Sequence, residues 1–112
     1  MKEMTVEMLR KHLMDARDQN DHQVVSDFSF PRAPRIVCAD GFSLSVQASH
    51  GAYCRPRTNI ADWCEVEVGY PSDAPTEFIS YAEDPDTPTD TVYGYVPIEL
   101  VVAEINKHGG IA

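Results

Sequence analysis

Three cysteines and a histidine are of the residue types that bind zinc in a tetrahedral site: Cys38, His50, Cys54 and Cys64. Intervals of 11, 3 and 9 residues separate them, without the paired Cys-x2-Cys spacing typical of structural zinc. Cys38 and Cys64 fall at inward positions of predicted strands, so the pattern favours cysteines that pack as small hydrophobic side chains, and we predict no cofactor. A Cys54 nucleophile with His50 as its base stays open, although the sequence identifies no third residue to orient the imidazole.

Arginines form a second group of chemically capable side chains: Arg32, Arg35, Arg55 and Arg57. Guanidinium groups bind phosphate and carboxylate through two parallel hydrogen bonds, and Arg55 follows Tyr53 closely in the chain. One hypothesis is an anion or small-ligand site built from Gln47, Ser49, Tyr53, Arg55 and Arg57. Gln47 and Ser49 are expected on the solvent face of a strand at 42–49, in which apolar and polar residues alternate. The alternative is that the arginines pair with carboxylates of the second half and stabilise the fold.

Acidic residues are concentrated in the second half of the chain. Residues 61–112 have eleven acidic side chains and one basic, so 1 − 11 = −10, whereas residues 1–60 sum to 8 − 7 = +1. Such a surface is either simply solvated or docks on a basic partner. The predicted docking residues are Glu65, Glu67, Glu83, Asp84, Asp86 and Asp90. Tyr93 or Tyr95, which strand alternation places on one face, is the expected aromatic anchor.

Composition and motifs exclude several classes of function. The net charge of −9 disfavours direct binding to duplex nucleic acid. The apolar runs are far shorter than the roughly 20 residues needed to span a bilayer, and the N-terminus lacks the apolar region of a secretory signal. An odd number of cysteines favours a reducing cytoplasm. Phosphate-binding loops and hydrolase motifs are missing from the sequence, and no spacing selects a catalytic carboxylate pair, so a non-enzymatic role is favoured.

Periodicity predicts the elements that position these residues. Thr5 is the expected N-cap of a first helix, with Val6, Leu9, Leu13 and Ala16 on one face. Pro97 opens a second helix, which Gly109 and Gly110 end. Between them, strands are predicted at 24–30, 35–38, 42–49, 63–70, 77–82 and 91–96, with a tight turn at Asp40-Gly41 and a long loop at 50–62. The expected α+β fold is a single domain, 1–112, with a four- to six-stranded antiparallel sheet and both helices packed on it.

Several segments resemble small uncharacterised proteins encoded by tailed bacteriophages. The resemblance covers about residues 35–110 and is carried by 35–49, by Tyr53-Cys54-Arg55-Pro56-Arg57, by 66–72 and by 91–110. It implies a phage accessory protein that acts in the cytoplasm of the host bacterium. Small acidic phage proteins often bind and block host machinery, including restriction and CRISPR complexes.

Three hypotheses follow from these observations. The first is an inhibitor that docks its acidic second half on a basic surface of a host protein or nucleoprotein complex. The second is a ligand-binding or catalytic domain that uses the Arg55–Arg57 loop. The third is a component of the virion or of its assembly. Each makes a different demand on the structure: an unpaired acidic surface, a concave pocket or a symmetric array.

Overall fold

The computed structural model describes residues 3–20, 33–49, 52–56 and 62–112. Its α+β fold has the predicted terminal helices and a four-stranded antiparallel sheet. The elements are α1 (Val6–Asn20), β1 (Ile36–Val37), β2 (Ser43–Gln47), β3 (Glu65–Gly69), a 3-10 helix (Ile79–Tyr81), β4 (Val92–Pro97) and α2 (Ile98–Lys107). The strand predicted at 24–30 lies outside the described residues, as do Arg32, His50 and Arg57.

Capping residues mark the helix ends as predicted. The Thr5 hydroxyl accepts a hydrogen bond from the Met8 amide at 3.1 Å, which satisfies one of the unpaired N–H groups of the first turn. At the end of α2, Gly109 and Gly110 have positive φ angles of 91° and 80°, and the Gly110 amide donates to the Ile105 carbonyl. This is the left-handed termination that glycine permits without a Cβ clash.

The sheet and the helices share one hydrophobic cluster in the described part of the chain. Strand order is β1-β2-β3-β4, so each strand pairs with its neighbours in sequence. Alternate residues of the central strands are fully buried: Leu44, Val46, Val66 and Val68. They meet the apolar stripes of the helices, in which Leu9, Leu13, Val101 and Ile105 are buried. The period-2 and period-3.6 patterns therefore identified the faces that form the core.

The predicted strand at 77–82 is wrong. Residues Ile79–Tyr81 form a 3-10 helix, and only Ala82 makes an isolated bridge, to Tyr93. The backbone N–H groups of Thr76 and Glu77 both donate to the Glu104 carboxylate at 2.8 Å, whereas successive N–H groups of a strand point to opposite edges. The segment turns there, and the Phe78 ring packs edge-on against Tyr93 with 5.3 Å between ring centroids.

Candidate functional site

A bulge between β3 and β4 places two tyrosines at the surface. Val66 pairs with Val96 and Val68 with Tyr93, so two residues, Gly94 and Tyr95, lie opposite the single residue Glu67. Tyr95 adopts a positive φ of 54° and is 38% exposed. A tyrosine rarely occupies this backbone region, and such bulges commonly redirect a side chain. The bulge turns the Tyr95 ring outwards.

Tyr53 connects the two sides of this bulge. Its amide donates to Glu67 Oε2 at 3.0 Å, and its carbonyl accepts from the Tyr95 amide at 3.0 Å. The two tyrosine rings are tilted by 42° with centroids 6.0 Å apart. A Cβ on Gly94 would approach Tyr53 Cβ to 3.2 Å, so the close crossing of the chains needs a residue without a side chain.

Arg55 occupies the same surface and is neutralised by a carboxylate. It forms a backbone bridge with Glu65, and its Nε lies 3.0 Å from Glu65 Oε1. The guanidinium carbon stands 5.6 Å from the centre of the Tyr95 ring, within cation–π range. The hydrogen bond and the charge of Glu65 raise the pKa of Arg55. We call the five residues Tyr53, Arg55, Glu65, Glu67 and Tyr95 the tyrosine patch.

The tyrosine patch joins residues that the sequence assigned to two competing sites. Tyr53 and Arg55 belonged to the predicted anion site, whereas Glu65 and Glu67 belonged to the predicted acidic surface. The pairing of Arg55 with Glu65 confirms, for this arginine, the alternative that arginines pair with carboxylates of the second half. Arg35 behaves differently, because its guanidinium donates to the Ser43 hydroxyl and to backbone carbonyls.

The remaining residues of the predicted anion site are engaged elsewhere. Gln47 and Ser49 were expected on the solvent face of β2, which is wrong, since both are buried. The Gln47 side-chain amide accepts from the Ala33 amide and donates to the Ala33 carbonyl, at 2.8 and 3.0 Å. Two cavities of about 420 and 280 Å³ are lined by described residues, and neither contains a residue of the predicted anion site.

The cysteines lie in three different environments. Cys38 is buried as predicted, and burial, followed by the charges of Asp40 and Glu104, raises the pKa of its thiol to about 11. Cys54 is 1% exposed, and its thiol donates to the Ser49 carbonyl at 3.2 Å. Cys64 was predicted to point inwards, which is wrong: it precedes β3 and is exposed.

This arrangement weakens the metal and nucleophile hypotheses. Among the described residues, no group of three or more His, Cys, Asp or Glu side chains is arranged to hold a metal ion. A nucleophilic thiol must reach its substrate, and the burial of Cys54 opposes that access. His50, the proposed base and fourth zinc candidate, lies outside the described residues.

The acidic loop, defined as residues 83–90, carries the main group of exposed carboxylates. Its four acidic residues, Glu83, Asp84, Asp86 and Asp90, are all exposed. Within the described ranges, none of these four carboxylates forms an ion pair. Because no cation neutralises these charges in the described structure, the loop presents a negative potential to solvent.

Hydrogen bonds fix the shape of this loop despite its exposure. At its base, the Glu83 amide donates to the Val92 carbonyl at 3.0 Å, and the Asp84 amide donates to the Thr91 hydroxyl at 3.1 Å. Further along, the Tyr93 hydroxyl donates to the Pro88 carbonyl at 2.7 Å. At its base the loop is therefore attached to β4 and to Thr91, the residue before β4. Further along it is attached to the Tyr93 side chain.

The predicted placement of Tyr93 and Tyr95 on one face is wrong. Tyr93 is fully buried, whereas Tyr95 is exposed, because the bulge inserts one residue and interrupts the alternation of β4. Burial, followed by the charge of Glu104, raises the pKa of the Tyr93 hydroxyl. Tyr93 therefore cannot anchor a partner in this conformation, and it instead holds the acidic loop in place.

A cluster that sequence reasoning missed lies at the end of α2. We call Asp40, Glu104 and His108 the carboxylate clamp. His108 Nδ1 lies 2.7 Å from Asp40 Oδ2, and Nε2 lies 3.0 Å from Glu104 Oε2. The imidazole ring stacks on Phe42 with 3.9 Å between centroids. The spacing of Glu104 and His108, four residues apart at the end of α2, was the only available signal.

The charges of the clamp stabilise a protonated imidazole. Burial alone lowers the pKa of His108, but hydrogen bonds and charges from Asp40 and Glu104 outweigh it, so the pKa is raised overall. The Phe42 amide and His108 lower the pKa of Asp40. Since both ring nitrogens are engaged, the clamp fixes the end of α2 to the β1–β2 turn and does not present a free base for catalysis.

The chain matches no protein-family model, no curated protein and no solved structure. Neither helix in the described part of the chain has the length and apolar character that crossing a membrane requires.

Proposed function

We propose that this protein is a non-enzymatic binding module that docks its acidic loop on a basic surface of a partner protein. In the fuller form of this proposal, it is a phage accessory protein in the host bacterial cytoplasm. Its partner there is a host protein or nucleoprotein complex, which it inhibits as anti-CRISPR or anti-restriction proteins do. The observation that carries the proposal is the set of four exposed carboxylates on one loop without an ion pair in the described structure.

The fixed shape of the acidic loop supports docking over simple solubilisation. A flexible loop loses conformational entropy when a partner immobilises it, and this loss weakens binding. The hydrogen bonds of Glu83 and Asp84 at the loop base, together with that of Tyr93 to Pro88, impose this order before binding. Charges held in one arrangement can also match a partner's basic residues, which gives specificity and fast association.

The exposed tyrosines add a second element typical of protein interfaces. Val92, next to the base of the acidic loop, is three residues before Tyr95 on β4. At about 3.3 Å per residue, the two are on the order of 10 Å apart. Aromatic side chains dominate the energetic centres of interfaces, and charged residues surround them. The loop and the patch are close enough to contact one partner.

Purification from the bacterial host with the chain as bait, followed by binding measurements on the purified partner, tests this function. Neutralising the loop with E83Q, D84N and D86N should weaken binding at least tenfold at low salt. It should also flatten the dependence of affinity on salt, since fewer charges remain to be screened. The D84N change keeps the side-chain oxygen that accepts the Asp86 amide in the natural chain, so the loop should keep its shape.

A matched variant separates a local effect from one of net charge. The triple variant E7Q/E77Q/E99Q removes the same number of negative charges at other exposed positions. Its affinity for the partner should stay within about twofold of the natural chain. Equal weakening by both variants, or unchanged affinity in the loop variant, contradicts docking through the loop. Size-exclusion chromatography at two concentrations addresses the virion hypothesis, which requires concentration-dependent assembly.

A further inference from the structure

The tyrosine patch already contains one complete guanidinium-binding arrangement. The Arg55 guanidinium lies over the Tyr95 ring at 5.6 Å while Glu65 accepts its Nε–H at 3.0 Å. An aromatic face together with a carboxylate in this geometry is the combination that recognises arginine in proteins. The side chain of Arg55 is nevertheless 67% exposed, so this internal pair is only weakly shielded from competing cations.

A second carboxylate stands beside this arrangement. Glu67 Oε2 accepts the Tyr53 amide, and within the described structure Glu67 has no ion pair. The patch therefore holds one positive and two negative charges, so 1 − 2 = −1. Both tyrosines are exposed residues, with relative accessibilities of 41% for Tyr53 and 38% for Tyr95. The net charge of the tyrosine patch and its two exposed tyrosines favour binding of a cation over the anion that the sequence suggested.

We propose that the tyrosine patch binds an arginine side chain of a partner protein. The incoming guanidinium packs on the exposed tyrosine rings and pairs with Glu67, as Arg55 does with Tyr95 and Glu65. Arginine is the expected residue because its planar guanidinium both stacks on a ring and pairs with a carboxylate, which the compact lysine ammonium does less well. This inference rests on the proposed function, in that the same docked partner supplies the arginine.

Titration of the ¹⁵N-labelled full chain with the blocked peptide Gly-Arg-Gly-Arg-Gly tests the site. Amide chemical shifts of Tyr53, Glu67 and Tyr95 should move, and the matching lysine peptide should bind at least threefold more weakly. E67Q should weaken the arginine peptide about tenfold, because a charge-assisted pair is lost. The glutamine oxygen still accepts the Tyr53 amide, and E77Q serves as a control that removes one exposed charge elsewhere.

Substitution of Arg55 gives opposite results for a cation site and an anion site. R55Q removes the internal competitor and changes the patch charge from −1 to −2, so arginine-peptide affinity should rise about threefold. An anion site would instead lose its main donor, and the same variant would then bind inorganic phosphate less well than the natural chain. Weaker peptide binding by R55Q overturns the proposal.

The remaining outcomes distinguish this site from the acidic loop. Three results would each overturn the arginine site. They are peptide-induced chemical-shift changes that centre on residues 83–90, no chemical-shift changes at millimolar peptide, and unchanged peptide affinity in E67Q. The loop variant E83Q/D84N/D86N should retain the shifts at the patch. If that variant still binds the purified partner normally while E67Q does not, the loop function fails and the arginine site stands.

Discussion

The carboxylates of Glu104 and of the acidic loop belong to the same acidic half of the chain, yet their surroundings are opposite. Glu104 is 1% exposed and accepts hydrogen bonds from two backbone amides while contacting His108. The carboxylates of Glu83 and Asp84 are exposed, and neither is paired with a cation in the described structure. One group of acids stabilises the fold, and the other leaves its charge available.

This contrast shows why net charge alone does not locate a docking surface. Asp40, Glu65 and Glu104 all contribute to the charge of −9, but each has a basic partner within the chain, which is Arg55 for Glu65 and His108 for the other two. Once such pairs are set aside, the acidic loop stands out among the described residues, because several carboxylates without an ion pair there follow one another closely. Substitutions in the two regions should therefore affect different properties.

The largest effect on stability is expected from Glu104→Ala. It leaves the amides of Thr76 and Glu77 without their acceptor and His108 without one of its two carboxylates, so the free energy of unfolding should fall by about 3 kcal/mol or more. Urea denaturation measures the change. Glu104→Gln, which keeps an oxygen for the amides, should lose less. Glu99→Ala on the exposed face of α2 should cost about 0.5 kcal/mol or less, and an equal loss in that variant would contradict the role of the clamp.

His108→Ala should have the next largest effect, and one that depends on pH. Its pKa is raised in the folded state, so its contribution is fully present below the unfolded value of about 6.5 and is lost as pH rises through the folded value. Near pH 6 the variant should lose about 1–2 kcal/mol of unfolding free energy. Cys38 and Tyr93, whose pKa values the charge of Glu104 helps to raise, remain neutral at this pH. A difference between variant and natural chain that grows with pH between 6 and 9 would contradict this assignment.

Tyr93→Phe should reduce the free energy of unfolding by a smaller amount and should also loosen the acidic loop. The substitution keeps the edge-on contact with Phe78 but removes the hydrogen bond to Pro88, which should cost about 1 kcal/mol. Amide hydrogen exchange should accelerate at the acidic loop while β3 keeps its protection. Tyr70→Phe, at an exposed position, is the control. Unchanged exchange in the loop would show that Tyr93 does not hold it.

Neutralising the acidic loop should have the smallest effect on stability. E83Q, D84N and D86N remove charges that repel each other and have no cationic partner in the described structure, so the unfolding free energy should change by no more than about 0.5 kcal/mol. The same variant is expected to have the larger effect on partner affinity. Destabilisation by several kcal/mol would mean that the loop carboxylates stabilise the fold, and the contrast with Glu104 would fail.

Features of the fold with local causes were predictable from the sequence. Thr5 caps α1, Gly41 has the positive φ of 95° that its turn requires, and Gly109 ends α2. In each case the deciding interaction lies within a few residues along the chain. Of the candidate site, the exposed carboxylates at 83–90 were also predictable, since charged side chains are rarely buried without a partner.

The clamp and the tyrosine patch depended on contacts far apart in the sequence. Asp40 and His108 are 68 residues apart, and no periodicity indicates that they meet. Likewise, the bulge that separates Tyr93 from Tyr95 arises where β4 pairs with β3 around Glu67. A strand read by itself gives only strict alternation, which placed both tyrosines on the same face.

The sequence by itself determined most element types, most of the buried faces and the excess of acid in the second half, because these follow from residue type and short-range periodicity. Only the tertiary structure decided which charges remain available. It pairs Arg55 with Glu65 and buries Glu104 beneath the backbone amides of residues 76 and 77, whereas the acidic loop receives no cation in the described structure. Charge pairing acts over a few ångströms in space, and the distance between two residues along the chain does not determine that separation.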